Sequence, residues 1–187
     1  MAETLGSMVD KLTIKEIRGF HLQEMLERKD NKFPADEIKA KLKVLESQKK
    51  DLIDEIDGFV VLASQGKIRV TDEKLKIYNA VKDMGNIPQE INIGQAISGL
   101  ATKNLELWHL EDEARRKDVD LSYIGEVKRK IDLTNQQRND FIDKIDRLFQ
   151  DTPRESDNTE KKSRGKTCDS QINIRIGVVG ATQGRTE

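Results

Sequence analysis

The chain has 187 residues, enough for one medium-sized domain with a substantial hydrophobic core. Charged residues make up 36% of the sequence and aromatic residues only 4%, a composition typical of a mostly helical protein. Lys plus Arg total 33 against 34 for Asp plus Glu. This near-neutral balance disfavours a nucleic-acid-binding domain, which normally carries a basic excess on one face.

Several sequence features bear on the compartment. The single cysteine, Cys168, excludes an intramolecular disulfide framework and is compatible with a reducing environment. Residues 1–16 contain neither the basic segment nor the apolar segment of a signal peptide. No stretch of the sequence approaches the roughly 18 consecutive apolar residues of a membrane span. We therefore expect a cytoplasmic protein that binds no membrane.

Hydrophobic periodicity predicts an all-α fold with five helices. Their expected bounds are about 4–30, 35–64, 72–84, 92–116 and 122–150. Thr4 and Thr71 are suitable N-caps, and Gly85 is a suitable end for the short third helix. Residues 67–70 are expected to form a connection, with a possible extended segment.

The composition changes after residue 150, which separates a helical domain at 1–150 from a linker and tail at 151–187. The first part of the tail is polar and has no periodicity, as in linkers and disordered segments. Residues 171–178 alternate isoleucine or valine with other residues, which is a strand pattern. A lone strand is unstable in water, so three outcomes stay open: docking, pairing with another chain, or disorder.

An internal duplication relates the two halves of the helical domain. The segment from about residue 5 to 60 aligns with the segment from about 93 to 149 at an offset of 88, or 89 after one inserted residue. The alignment places His21 on His109, the only two histidines, and Asp57 on Asp146. Two such αα-hairpins are expected to pack as an up-down four-helix bundle, with the short helix in the connection between them.

Polar residues interrupt the predicted apolar stripes of all four long helices. The interruptions are Glu16 and Gln23, Lys49, Asn104 and Glu111, and Arg138. Burying such groups without partners costs several kcal/mol, so they must pair, reach water or contact a ligand. We expect Glu111 to pair with Arg138, because a guanidinium and a carboxylate match bidentately. Two interpretations stay open, a structural ion network and a ligand pocket between the helices.

The ligand-pocket interpretation identifies a set of candidate site residues in the second hairpin. They are Asn104, Trp108, His109, Glu111, Asp112, Asn135, Gln137 and Arg138. Arg138 would bind an anionic group, and Glu111 would orient it or act as an acid or base. Trp108 could stack on a base or sugar, although a lone tryptophan on an apolar stripe is more often part of the core.

The sequence predicts no metal site and no cofactor. It contains no Cys/His zinc cluster and no phosphate-binding loop before a helix. Two aspartate triplets, at 51, 54 and 57 and at 140, 143 and 146, are expected on solvated helix faces, with Mg²⁺ binding left open. All-α nucleotide pyrophosphohydrolases use Glu-x-x-Glu pairs, and here Glu24 and Glu27 supply that pair in one half at best.

The motifs WHLEDEARR, VKRKID and NQQRNDFIDKID resemble a family of small all-helical bacterial proteins of unknown function, often associated with surface-polysaccharide gene clusters. The opening LGSMVDKLTIKEIR is similar to a related uncharacterised family. The family-like positions are His109, Glu111, Asp112, Arg115, Asn135, Gln136, Arg138, Asn139 and Asp140. The resemblance implies no activity, and its genomic setting implies sugar phosphates or nucleotide sugars as ligands.

Three hypotheses of function follow. The first is a helical bundle with a polar pocket for a small anionic or sugar-containing ligand. The second is a non-catalytic scaffold or adaptor that forms a homodimer. The third is a Mg²⁺-dependent nucleotide hydrolase that uses the aspartate triplets. Whether the protein is an enzyme stays open, and no nucleic-acid partner is expected.

Overall fold

The computed structural model describes residues 3–28, 33–70 and 87–152. This part of the chain contains four α-helices and no strand: α1 (Leu5–Glu27), α2 (Ala35–Ser64), α3 (Ile93–Ala114) and α4 (Leu121–Gln150). The predicted all-α class is therefore confirmed, and residues 67–70 form no strand. The predicted short helix after Thr71 and the predicted strand in the tail lie outside the described residues.

Side-chain caps set where three of the helices begin. The Thr4 hydroxyl accepts a hydrogen bond from the Ser7 N–H at 3.3 Å, and the Asp120 carboxylate accepts one from the Tyr123 N–H at 2.7 Å. Asn92 and Gln95 form a reciprocal capping box at the start of α3. Helix α1 ends three residues before its predicted bound at 30, because the backbone becomes extended at Arg28.

Helix α1 lies at the centre of the arrangement and packs against the three other helices. It runs parallel to α3, since Asp10 contacts Asn104 and His21 contacts Trp108. It runs antiparallel to α4, since Gly6 contacts Asp146 and Asp10 contacts Arg138. The core between these three helices consists of Leu5, Ala96, Leu100, Phe141, Ile142 and Ile145. Helix α2 packs on α1, and its Phe59 meets Phe149 of α4 at a ring-centroid distance of 6.1 Å.

A close helix approach at Gly6 corrects one prediction about the aspartate triplets. Asp146 was expected on a solvated face, but it is 8% exposed and its Oδ1 accepts a hydrogen bond from the Gly6 N–H at 2.7 Å. A Cβ at position 6 would collide with the carbonyl oxygen of Ile142. Asp146 therefore satisfies a free backbone donor in the first turn of α1, at a point where only glycine fits. Asp57, its predicted equivalent, is exposed.

Phe20 was predicted to lie on the apolar, buried stripe of α1, and this is wrong, because Phe20 is 59% exposed. At this level of the helix the side chain packed against α3 is the neighbouring His21, whose side chain is 19% exposed and which stacks on Trp108. The buried side of α1 therefore includes the second, partly apolar face as well as the predicted one. A helix that contacts three others is covered over a wider arc than a single stripe.

Candidate functional site

A bidentate ion pair between α1 and α4 forms the base of the candidate site. Nε of Arg138 donates to Oδ1 of Asp10 at 2.8 Å, and Nη2 donates to Oδ2 at 2.5 Å. The Asp10 residue is 5% exposed, and the side chain of Arg138 is 27% exposed. The hydrogen bond to Asp10 raises the pKa of Arg138 above its ordinary value, although burial opposes this shift. The guanidinium is therefore held as a fixed cation in one orientation.

Two further side chains complete this network. Nδ2 of Asn104 donates to Oδ1 of Asp10 at 2.9 Å and contacts Oγ1 of Thr13 at 2.7 Å. Oγ1 of Thr13 donates in turn to the backbone carbonyl of Asp10 at 2.9 Å. The buried carboxylate thus has a charged partner and an amide partner from two other helices, as a buried carboxylate requires. Helices α1, α3 and α4 meet at this carboxylate.

The predicted pairing of Glu111 with Arg138 is wrong. Arg138 binds Asp10 instead, and the nearest cationic group to Glu111 is Arg115, with Nη2 and Oε2 3.7 Å apart. The physical reason is burial: Asp10 is almost fully covered, whereas the Glu111 side chain is 50% exposed and well solvated. The burial of the Asp10 carboxylate therefore requires the cation that Glu111 does not need.

A cleft of about 440 Å³ adjoins this network between α1, α3 and α4. Its apolar lining residues are Ile14, Ile17, Leu107 and Trp108. Its polar lining residues are Arg18, Asn104, Glu111, Arg115, Asn135 and Arg138. The volume is typical of a site for a small ligand. Three guanidinium groups and one carboxylate therefore surround the same cleft.

The guanidinium groups differ in their partners. Arg18 is exposed and forms no hydrogen bond or ion pair with the part of the chain that the structure describes. Arg115 is held loosely by neighbours on its own helix, with 3.1 Å from Nη1 to Oδ1 of Asp112. Nη1 of Arg138 makes no hydrogen bond within the described residues, because the two bonds of this side chain involve Nε and Nη2. Donors on all three side chains are thus available to a ligand.

Five of the eight predicted site residues line this cleft and three do not. The five are Asn104, Trp108, Glu111, Asn135 and Arg138. His109, Asp112 and Gln137 lie outside its lining. His109 is exposed, and its ring centroid is 6.1 Å from that of His21.

Asp10, Thr13 and Arg18 were not predicted. A signal for Asp10 does exist in the sequence: Asp10, Ile14, Ile17 and His21 follow one another at spacings of four, three and four residues. That spacing places the carboxylate on the second, partly apolar face of α1.

Trp108, which lines the cleft, forms an aromatic stack with His21. The rings of His21 and Trp108 lie 4.7 Å apart between centroids and are nearly parallel, at 8°. Nδ1 of His21 lies 2.8 Å from Oε2 of Glu24, and its Nε2 is buried without a hydrogen-bond partner in the described structure. His21 therefore fits the expectation that a histidine at this position packs against other side chains. Its predicted equivalent, His109, is exposed.

The described residues contain no group of three or more His, Cys, Asp or Glu side chains placed to hold a metal ion. Asp51, Asp54 and Asp57 are exposed on α2, whereas Asp140 contacts Gln136 at 3.4 Å on α4. The two aspartate triplets therefore have different surroundings. Among the described helices, none combines the length and the hydropathy that a bilayer span requires.

Comparison with known protein families identifies a match over most of the chain. The model of the family described as "Protein of unknown function (DUF4254)" matches residues 1–71 and 95–170. The match includes every residue of the ion-pair network and of the cleft lining, and it continues past the end of α4 at Gln150. Neither the curated proteins nor the solved structures include a significant match to the chain.

Proposed function

This chain belongs to the DUF4254 family, whose function is unknown, and we propose that it binds a small anionic ligand in the cleft between α1, α3 and α4. The observation that carries the proposal is the set of three guanidinium groups, on Arg18, Arg115 and Arg138, that line one cleft of about 440 Å³. Guanidinium groups match the geometry of phosphate and carboxylate groups, and they remain charged at any physiological pH.

The pairing of charges around the cleft leaves one guanidinium group open to an anion. The charge of Arg138 is compensated by Asp10, and that of Arg115 by Glu111 and Asp112 nearby. These three carboxylates balance the three guanidinium groups in number, but Arg18 itself has no carboxylate partner in the described residues, so its donors are open to an anion. The Glu111 and Asp112 side chains are 50% and 60% exposed, which makes their ion pairs with Arg115 weak and easily replaced by a ligand.

The remaining lining residues suit a ligand that carries hydroxyl groups. Asn104 and Asn135 add side-chain amides, and Trp108 adds an aromatic surface on which a sugar or base could stack. The resemblance carried by the sequence motifs implies the same ligand class, a sugar phosphate or a nucleotide sugar. In this proposal Arg18 and Arg115 bind the anionic group, while the fixed Arg138 orients it through Nη1.

The experiment uses Trp108, the single tryptophan of the chain, as an internal reporter. Inorganic phosphate, a hexose phosphate and a nucleotide sugar are titrated against its fluorescence at low ionic strength. We expect saturable binding that weakens at least about tenfold in Arg18→Ala combined with Arg115→Ala, because each lost charge-assisted hydrogen bond contributes about 1.5–3 kcal/mol.

The matched control is Arg129→Ala on α4, because Arg129 is exposed, outside the cleft and without a partner among the described residues. Arg138 is left unchanged in this comparison, since its loss would also break the buried pair with Asp10. If no anion changes the fluorescence, or if the Arg129 variant loses as much affinity as the double variant, the proposal is wrong.

A homodimeric scaffold is the second candidate, and the outer face of α2 favours it. Ile53 and Val60, seven residues apart on this helix, are 41% and 37% exposed. Equivalent faces on two copies could pack around a two-fold axis. Sedimentation of the wild type and of Val60→Asp tests this candidate: a wild-type dimer that the substitution dissociates supports it, and a wild-type monomer at micromolar concentration contradicts it.

A further inference from the structure

A second cavity, of about 550 Å³, lies between α1 and α2 and shares two lining residues, Arg18 and Trp108, with the cleft already described. Most of its remaining lining is apolar: Leu22, Met25, Ala40, Val44 and Leu45. We name this cavity the α1–α2 groove. The two cavities therefore adjoin at Arg18 and Trp108 and differ in chemistry, one rich in guanidinium groups and the other aliphatic.

We propose that the ligand is an amphipathic anion, with its charged head in the cleft and a single hydrocarbon chain in the α1–α2 groove. This inference rests on the proposed function of the cleft. The ligand class is a phosphate that carries one alkyl chain, bound as a single molecule; a sugar on the same phosphate would lie in the cleft beside Asn104 and Asn135.

The charges at the groove support this occupant. Lys41 and Glu37, which line the groove, form an ion pair of 2.6 Å with each other, so they add no net charge. Besides this pair and His21, Arg18 is the one side chain among the lining residues of the groove that can carry a charge. Arg18 has no partner in the described residues. An anion at the junction would compensate this charge, and the aliphatic stem of Arg18 would cover part of the attached chain.

The exposed apolar surface in the groove gives a second reason. Val44 is 57% exposed, although the next residue, Leu45, is 7% exposed. An alkyl chain would remove the Val44 surface from water, and the free energy of binding should then increase with every methylene group that is buried. Inorganic phosphate and short sugar phosphates would reach only the first cleft.

The experiment compares the affinity of inorganic phosphate, methyl phosphate, butyl phosphate and octyl phosphate, all kept below micelle-forming concentrations, by Trp108 fluorescence and by calorimetry. We expect affinity to rise by up to about fourfold for each methylene group that becomes fully buried. Octyltrimethylammonium has a similar chain with the opposite charge and should not bind. Vesicles of phosphatidylcholine and phosphatidic acid should not retain the protein in flotation, since the proposal is for a free single-chain ligand.

Val44→Asp tests the groove separately from the cleft, with Val61→Asp as its matched control. Val61 lies on the same helix, is 53% exposed and lines neither cavity. We expect Val44→Asp to abolish the gain from chain length while phosphate still binds, and Val61→Asp to change neither.

The outcomes separate the two proposals. If phosphate binds but affinity is independent of chain length, or if both valine variants behave alike, the inference is wrong and the proposed function stands. If no anion binds, the proposed function itself fails. If the protein floats with vesicles and ignores monomeric octyl phosphate, a membrane lipid is the source of the anion and the inference is overturned.

Discussion

The carboxylate of Asp10 on α1 and the guanidinium of Arg138 on α4, separated by 128 residues in sequence, form two parallel hydrogen bonds of 2.8 and 2.5 Å. The predicted equivalent of Arg138 in the first hairpin is Lys49, which binds Glu16 at 2.9 Å within its own hairpin. The second hairpin has Asn104 at the position that corresponds to Glu16, and Asn104 binds Asp10. The counter-charge of Arg138 therefore comes from the other hairpin and connects the two.

Breaking the pair should destabilise the protein strongly. We expect Arg138→Ala to lower the free energy of unfolding by about 3 kcal/mol, because it leaves the buried Asp10 carboxylate uncompensated. Asp10→Ala should lower it by less, because the Arg138 side chain is 27% exposed. The double variant should lose clearly less than the sum of the two, since it removes both charges. Urea denaturation of the four proteins measures these differences. Additive effects would contradict the interpretation that the two charges act as a pair.

The equivalent substitution in the first hairpin is the control. The Lys49 side chain is 15% exposed, but its partner Glu16 is 56% exposed and solvated. We therefore expect Lys49→Ala to cost less than about 1 kcal/mol, the usual upper value for a solvated pair. A cost equal to that of Arg138→Ala would mean that burial of the carboxylate does not decide the effect.

The sequence predicted the helices more accurately than the ion pair, for a physical reason. The bounds 35–64 and 122–150 agree with α2 and α4 to within one residue, because local periodicity determines helices and the Asp120 cap sets the start of α4. The partner of Arg138 depends on which helix packs against α4, and residue spacing within one hairpin contains no such information. The internal duplication stays a prediction. Two contacts agree with it: Lys49 binds Glu16, and Arg138 shares its partner Asp10 with Asn104, the residue that aligns with Glu16.

The close approach of α1 to α4 at Gly6 predicts a difference between two glycine substitutions. Gly6→Ala should lower the free energy of unfolding by at least about 2 kcal/mol, because the new Cβ would overlap the backbone carbonyl of Ile142 and displace Asp146. Gly58→Ala should raise it by about 0.5–1 kcal/mol, because Gly58 lies inside α2 with nothing within 4 Å of a Cβ. Thermal denaturation of both variants checks the prediction, and a Gly6 variant as stable as the Gly58 variant would contradict it.

The stack of His21 on Trp108 predicts that the ring matters more than its nitrogens. We expect His21→Phe to stay within about 1 kcal/mol of the wild type, since it keeps an aromatic ring and removes a buried nitrogen that has no partner among the described residues. His21→Ala should cost about 2 kcal/mol, because it opens a cavity beside Trp108. Urea denaturation gives both values, and Trp108 emission should shift to the red only in the alanine variant. Equal losses in the two variants would show that the bond to Glu24, rather than the stack, stabilises this region.

The turn between α3 and α4 gives a prediction about pH. The Tyr123 hydroxyl donates to Oε2 of Glu113 at 2.8 Å, and Nη1 of Arg116 donates to the same oxygen at 3.0 Å. These bonds, the first above all, hold the pKa of Glu113 below its ordinary value of 4.5. The pKa of Tyr123 is raised above 10.0 by the same contact with Glu113.

Because the pKa of Glu113 is lower in the folded state, the stabilisation from this contact is fully present above pH 4.5 and is lost as the pH falls through the folded pKa. In Tyr123→Phe we expect the pKa of Glu113 to rise toward 4.5, while the pair with Arg116 keeps part of the shift. NMR titration of the Glu113 carboxyl carbon measures this change. Glu113→Gln should have the reciprocal effect and lower the pKa of Tyr123 toward 10.0, as followed by ultraviolet absorbance. An unchanged Glu113 titration in the phenylalanine variant would show that Arg116 alone sets the charge of this turn.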